Sequence, residues 1–111
     1  MVRVKECVRF KCIPRQFLIL WEVLHGAAAM QKTEATITGA SYEKYKKGSY
    51  HDRGYAWDVR IQGIPHPLQY VCEIRCALVN IDPRFRVVYG DANHTDHVHI
   101  EYRHDQVRKK K

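Results

Sequence analysis

From position 97 the chain reads His97-Val98-His99-Ile100-Glu101, with polar and apolar residues in strict alternation. Successive side chains of a β-strand project to opposite faces. This stretch is therefore a strand with Val98 and Ile100 turned to a core and His97, His99 and Glu101 turned the other way. A strand of this kind calls for a sheet with one packed face and one face that gathers two imidazoles and a carboxylate.

Upstream, residues 49–58 read Ser49-Tyr50-His51-Asp52-Arg53-Gly54-Tyr55-Ala56-Trp57-Asp58. A regular helix would carry His51 and Asp58 about 10 Å apart along its axis, too far for one ion. A turn has to bring them together. Gly54 supplies the positive φ that such a reversal often needs, and Ala56 lets the returning strand pass close to its neighbour. Taken one at a time, an exposed histidine is an ordinary surface residue and an aspartate an ordinary turn residue. The combination carries more: His94, His97 and His99 cluster late in the chain, and a histidine and an aspartate flank a glycine turn before them. One histidine, one aspartate and a closing histidine make a three-ligand set with an open fourth position, as hydrolytic zinc sites have. Imidazole dominates the set, which favours zinc over the oxygen-seeking calcium and magnesium.

The pattern Ser49-x-His51-x-x-Gly54-x-Ala56-x-Asp58 followed by His97-x-His99 resembles the signature of the zinc D-alanyl-D-alanine carboxypeptidases. That group includes D-Ala-D-Ala dipeptidases and phage L-alanyl-D-glutamate endolysins, and it shares its fold with the Hedgehog signalling domain. The resemblance extends over residues 14–103, with the ten-residue motif as its specific part. It implies His51, Asp58 and His99 as zinc ligands. It offers Asp96, three places before the last ligand, as general base, and His97 as a second candidate. Resemblance ranks Asp96 first; strand alternation favours His97, which shares a face with His99. Glu101 and Ser49 are expected to support the ligands from behind. Family members usually carry an arginine after the first core strand to hold a substrate carboxylate or an oxyanion. Here residues 36–44 hold none, which leaves Lys44, Lys46, Lys47, Arg53 and Arg60 as candidates for that charge. Lysine lacks the two-point grip of a guanidinium.

A chain of 111 residues makes one domain, burying roughly two-thirds of its unfolded surface. The expected domain spans residues 1–107, and Arg108-Lys109-Lys110-Lys111 forms a basic tail. Pro14 opens a helix to about Met30, with Phe17, Leu18, Leu20, Trp21 and Leu24 as its apolar face. Strands are expected at 35–38, 56–61, 85–89 and 97–102, a turn at 63–67 and a helix at 68–79. Without regular β-α-β alternation, the class is α+β: a mainly antiparallel sheet with flanking helices, in the Hedgehog/DD-peptidase manner that the resemblance implies. No apolar run reaches the ~20 residues of a membrane span, and the charged N-terminus does not read as a signal peptide. The chain is expected to be made in the cytoplasm and to act at the cell wall if released.

Cys7, Cys12, Cys72 and Cys76 are spaced Cys-x4-Cys and Cys-x3-Cys, neither the usual zinc knuckle. Cys72 and Cys76 share a helical face and read as core or boundary residues; Cys7 and Cys12 could pair only in an oxidising compartment. Tyr42, Tyr45, Tyr50 and Tyr55 could line a groove, and Trp57 reads as core. A net charge of +7 and a pI near 9.4 suit an anionic partner, which for a wall enzyme is the cell wall itself. The basic residues are scattered and no nucleic-acid-binding motif is present. The expected function is zinc-dependent hydrolysis of the peptidoglycan stem peptide, similar to a minimal phage endolysin. The rivals are a non-catalytic zinc domain of the Hedgehog kind and a basic nucleic-acid-binding module.

Overall fold

The alternation at 97–102 becomes the second-innermost rung of a five-stranded sheet. The computed structural model describes residues 1–6, 8–10, 12–41, 49–51, 53–90 and 96–105. Along the chain run β1 (Val2–Val4), α1 (Gln16–Met30), β2 (Ala35–Gly39), β3 (Ala56–Arg60), α2 (Pro67–Ile81), β4 (Phe85–Val88) and β5 (His97–Tyr102). The sheet order is β1-β2-β3-β5-β4. The sheet is mixed: β1 lies parallel to β2, while β2 on β3, β3 on β5 and β4 on β5 are antiparallel. The molecule is an α+β domain whose described residues form two helices and one sheet.

The expected strands and helices all form, with small shifts at their ends. One strand was not foreseen: β1, whose three residues are too short to show a period, joins β2 through α1 as a β-α-β unit. Pro67 sits in the first turn of α2, where its missing N–H costs nothing. On α1 the buried stripe is Phe17, Leu20, Leu24, Ala27 and Ala28. Leu18 and Trp21, expected on that face, are instead 64% and 36% exposed. At 3.6 residues per turn, position 18 stands a quarter-turn or more off the stripe, and position 21 falls at its edge.

One apolar cluster joins both helices to the inward residues of β2, β3, β4 and β5. At its centre Trp57 is 1% exposed. Its ring meets Phe10, Phe17 and Trp21 edge-on, at centroid distances of 5.5, 4.8 and 6.2 Å, the arrangement aromatic quadrupoles favour. Trp57 is thus core. Val98 and Ile100 are fully buried while His97 and His99 stay half-buried, so β5 divides its faces as its alternation requires.

Candidate metal centre

Ser49, Tyr50, His51, Arg53 and Gly54 belong to the turn that carries His51. The Arg53, Gly54 and Tyr55 N–H groups donate to the carbonyls of Ser49, His51 and Tyr50 at 3.1, 3.0 and 2.7 Å. Gly54 has φ +85°, and a Cβ there would come within 2.5 Å of Cys12 Sγ. The backbone conformation favours glycine, and Cys12 Sγ would have to move aside for any side chain there. Ala56, fully buried, then starts β3. In the β3–β5 pairing Asp58 stands opposite His99, Arg60 opposite His97 and Ala56 opposite Glu101. Directly opposed residues share a face, so Asp58, Arg60, His97, His99 and Glu101 all project away from the core.

The three expected ligands converge. His51 Nε2 lies 3.2 Å from Asp58 Oδ1 and 3.1 Å from His99 Nδ1, and His99 Nδ1 lies 3.0 Å from Asp58 Oδ1. Their side chains are only 10–14% exposed. The proton positions follow from the other ring nitrogens. His51 Nδ1–H donates to the Ala40 carbonyl at 2.6 Å, and a carbonyl can only accept, so Nε2 turns its lone pair inward. His99 Nε2–H donates to Glu101 Oε1 at 2.7 Å, so Nδ1 does the same. Two imidazole lone pairs and a carboxylate oxygen therefore face one point. Buried acceptors that face one another cost about 1–3 kcal/mol each unless a donor or cation joins them. Donors about 2.0–2.1 Å from a tetrahedral zinc ion stand about 3.3 Å apart, close to the separations found here. The residues fit a metal ion, and His51, Asp58 and His99 can hold one.

Protonation behaves as this geometry requires. Burial opposes charge on Asp58, yet hydrogen bonds and charge from His51 and His99 hold its carboxyl well below the usual carboxylate range. Burial likewise opposes an imidazolium at His99, but Asp58 and Glu101 on either side push it up to about 9. A proton takes the cation's place when no metal does. Glu101 is lowered in turn: burial resists, while His99 and the Arg103 guanidinium, donating from Nε to Oε2 at 2.8 Å, favour its charged form. The chain Arg103–Glu101–His99 fixes the ring as carboxylates fix metal-bound histidines elsewhere. Glu101 thus stands on the far side of His99 from Asp58.

The two base candidates are coupled. Asp96 is 84% exposed at its side chain, and its Oδ1 accepts from His97 Nδ1 at 2.7 Å. His97 Nε2 points the other way, 3.8 Å from Asp58 Oδ1. The hydrogen bond from His97 lowers the Asp96 carboxyl below its ordinary value, and since a carboxylate can only accept, His97 Nδ1–H is the donor and Nε2 is the ring nitrogen turned toward Asp58.

Of the expected cations, Arg60 lies beside the site, in a pocket of about 200 Å³ that it lines with Lys5, Thr38, Gln62, Asp96 and His97. Arg53 is not brought there; it pairs with Asp105 at 3.6 Å, to which Tyr50 also donates at 2.8 Å. Tyr55 stacks on His104 with centroids 3.9 Å apart, a packing role. Ser49 is half-buried at the start of the turn. Lys44, Lys46, Lys47, Tyr42, Tyr45, His94, Cys7 and the tail at 108–111 lie outside the described residues. Cys72 and Cys76 do share a helical face, with Sγ atoms 3.9 Å apart, but both are exposed and not core or boundary; α2 turns Tyr70, Val71, Ile74 and Leu78 inward instead. Among the described residues the His51, Asp58 and His99 group is the one metal-ligating cluster of three or more. Sequence reasoning missed the Ala40 carbonyl, which carries no side-chain signature. It also missed Lys5, whose arrival beside the site depends on β1.

No family model matches the chain, and neither a curated protein nor a solved structure matches it.

Proposed function

We propose that the protein is a zinc-dependent peptidase that hydrolyses peptide bonds in the peptidoglycan stem peptide, in the manner of the D-Ala-D-Ala carboxypeptidases and L-Ala-D-Glu endopeptidases its motif resembles, on a fold of the Hedgehog/DD-peptidase kind. The observation that carries it is the convergence of His51 Nε2, Asp58 Oδ1 and His99 Nδ1 within 3.0–3.2 Å, beside a His97–Asp96 pair on the same open face. A purely structural zinc site is closed by four protein ligands, whereas three protein ligands leave a position for substrate, and His97, 3.8 Å from Asp58, also lines a polar pocket.

When bound there, zinc supplies Lewis acidity, polarising a substrate carbonyl and making water nucleophilic near neutral pH. The chain's own groups do the rest. His97 Nε2 takes a proton from the attacking water and returns it to the leaving amine. Asp96 keeps the Nδ1 proton in place and so sets the tautomer that makes this possible. Between the two candidates, exposure of the Asp96 carboxylate and its bond to His97 favour His97 as the proton carrier and Asp96 as its positioning group. Lys5 and Arg60 in the adjacent pocket offer the positive charge that the missing arginine would otherwise bring. The net charge of +7 suits attachment to an anionic wall.

Release of amine from soluble stem peptides tests this reading. The zinc-loaded protein should produce it, and a chelator or His99→Ala should abolish it. Hydrolysis that persists undiminished under chelation would remove the metal from the mechanism.

A further inference from the structure

A second pocket of about 180 Å³ continues the first, and Arg60 and Gln62 line both. Beyond Arg60 it is bounded by Thr36, Glu34 and the Gly63 turn. Thr38, Thr36 and Glu34 descend in steps of two residues along β2 and the position just before it, away from the end of the sheet where Asp58 and His99 stand. At 3.2–3.4 Å per residue, that descent from Thr38 to Glu34 covers about 13 Å, the length of about four residues of extended peptide. Charge changes sign along it. In the pocket nearer the metal centre stand Lys5 and Arg60, and the one carboxylate among the described residues that line it, Asp96, already accepts from His97. At the far end stands Glu34, which meets Arg3 at 3.7 Å through side chains that are both largely exposed. A pair that long and that exposed holds its carboxylate weakly, so an ammonium group can take it over.

We infer that the two pockets form one substrate groove, read from the reacting bond outward as carboxylate first and ammonium second. The inference rests on the peptidase reading above and deepens it. Beyond the L-Ala–D-Glu bond of a stem peptide comes a free α-carboxylate on the γ-linked D-Glu, followed by the side-chain amine of a diamino acid. That order matches Lys5 and Arg60, then Glu34. The D-Ala–D-Ala bond presents a single terminal carboxylate on one side; on its other side the amine comes before the carboxylate, the reverse of the groove. The charge order therefore selects endopeptidase action on the L-Ala–D-Glu bond.

The test uses zinc-loaded protein and synthetic L-Ala-γ-D-Glu-L-Lys-D-Ala, with the lysine amine free or acetylated and the glutamate α-carboxylate free or amidated. Both kcat/KM and Kd are measured. Each modification should cost the parent protein about fivefold, the upper range of an exposed ion pair. Glu34→Gln should erase the acetylation penalty, and Arg60→Gln should shrink the amidation penalty. Equal handling of free and acetylated peptide by the parent, or an acetylation penalty that survives Glu34→Gln, overturns the groove while leaving hydrolysis standing. The charge contrast in Kd without any cleavage upholds the groove and overturns the peptidase reading. Neither binding nor cleavage overturns both.

Discussion

His51 and His99 are presented to the metal position by the partners on their far sides. The Ala40 carbonyl holds one ring and Glu101, steadied by Arg103, holds the other. Removing a direct ligand and removing its support should therefore differ in degree. His51→Ala, Asp58→Ala and His99→Ala should each emerge from gel filtration without stoichiometric zinc, as read by elemental analysis. Glu101→Gln should keep the site but weaken it about 10–100-fold, and retention of full affinity would mean that Glu101 is mere strand polarity. At the base, His97→Ala should lower turnover by about 10²–10⁴-fold with zinc still bound, and Asp96→Asn by less, since it disturbs only the tautomer. A larger loss in Asp96→Asn than in His97→Ala would restore the carboxylate to first place. The convergence of His51, Asp58 and His99 was legible because side-chain spacing exposes it: alternation puts His97, His99 and Glu101 on one face, and Gly54 announces the turn. The Asp96–His97 coupling was not, because neighbours in a strand nominally face apart and only the loop-side placement of Asp96 lets the two meet.

Elements decide how rigidly that geometry is kept. The turn that carries His51 depends on Gly54 at φ +85° with Cys12 Sγ packed against it. Gly54→Ala should cost about 1–2 kcal/mol from backbone conformation alone, and zinc affinity should fall with stability because the same turn carries His51. Denaturant midpoints of Gly54→Ala and of Gly54→Ala combined with Cys12→Ala separate the two causes; a full rescue by the second change would make crowding, not φ, the reason. At the other end of the sheet Asp82, just past α2, accepts from Arg84 and from the Tyr102 hydroxyl at 2.8–3.2 Å. The Arg84 hydrogen bonds hold its carboxyl well below the usual range, against the opposing effect of burial and with help from Tyr102. A carboxyl lowered in the folded state stabilises it above the ordinary pKa of about 4, and that contribution is lost as pH falls toward the folded-state value. Asp82→Asn should accordingly cost about 1–3 kcal/mol at pH 7 and progressively less below pH 4, measured on metal-free protein. A constant difference across that range would remove charge from the explanation. Most elements were readable from periodicity, yet β1 was not: three residues cannot show a period, and the strand exists because β2 offers it an edge.

At the scale of the molecule, the helices and the inward faces of the strands make one core, leaving Thr36, Thr38, Asp58, Arg60, His97 and His99 on the outward side of the sheet. The α+β class followed from the order of helices and strands. The mixed sheet did not, because the parallel edge depends on β1, and with β1 comes Lys5, which lines the pocket beside Arg60 and His97. No helix among the described residues is long and apolar enough to cross a membrane. The net charge of +7 should make retention on purified peptidoglycan fall steeply between low and physiological salt; retention indifferent to salt would set charge aside as the means of attachment. The central claim, that His51, Asp58 and His99 hold zinc for peptide hydrolysis, is met most directly by mass spectrometry of peptidoglycan fragments incubated with the zinc-loaded protein. The account predicts that one stem-peptide bond gains the elements of water, yielding a new amine and carboxylate, and that His99→Ala leaves the same fragments whole. Protein carrying one zinc per chain that leaves every stem peptide intact would contradict it.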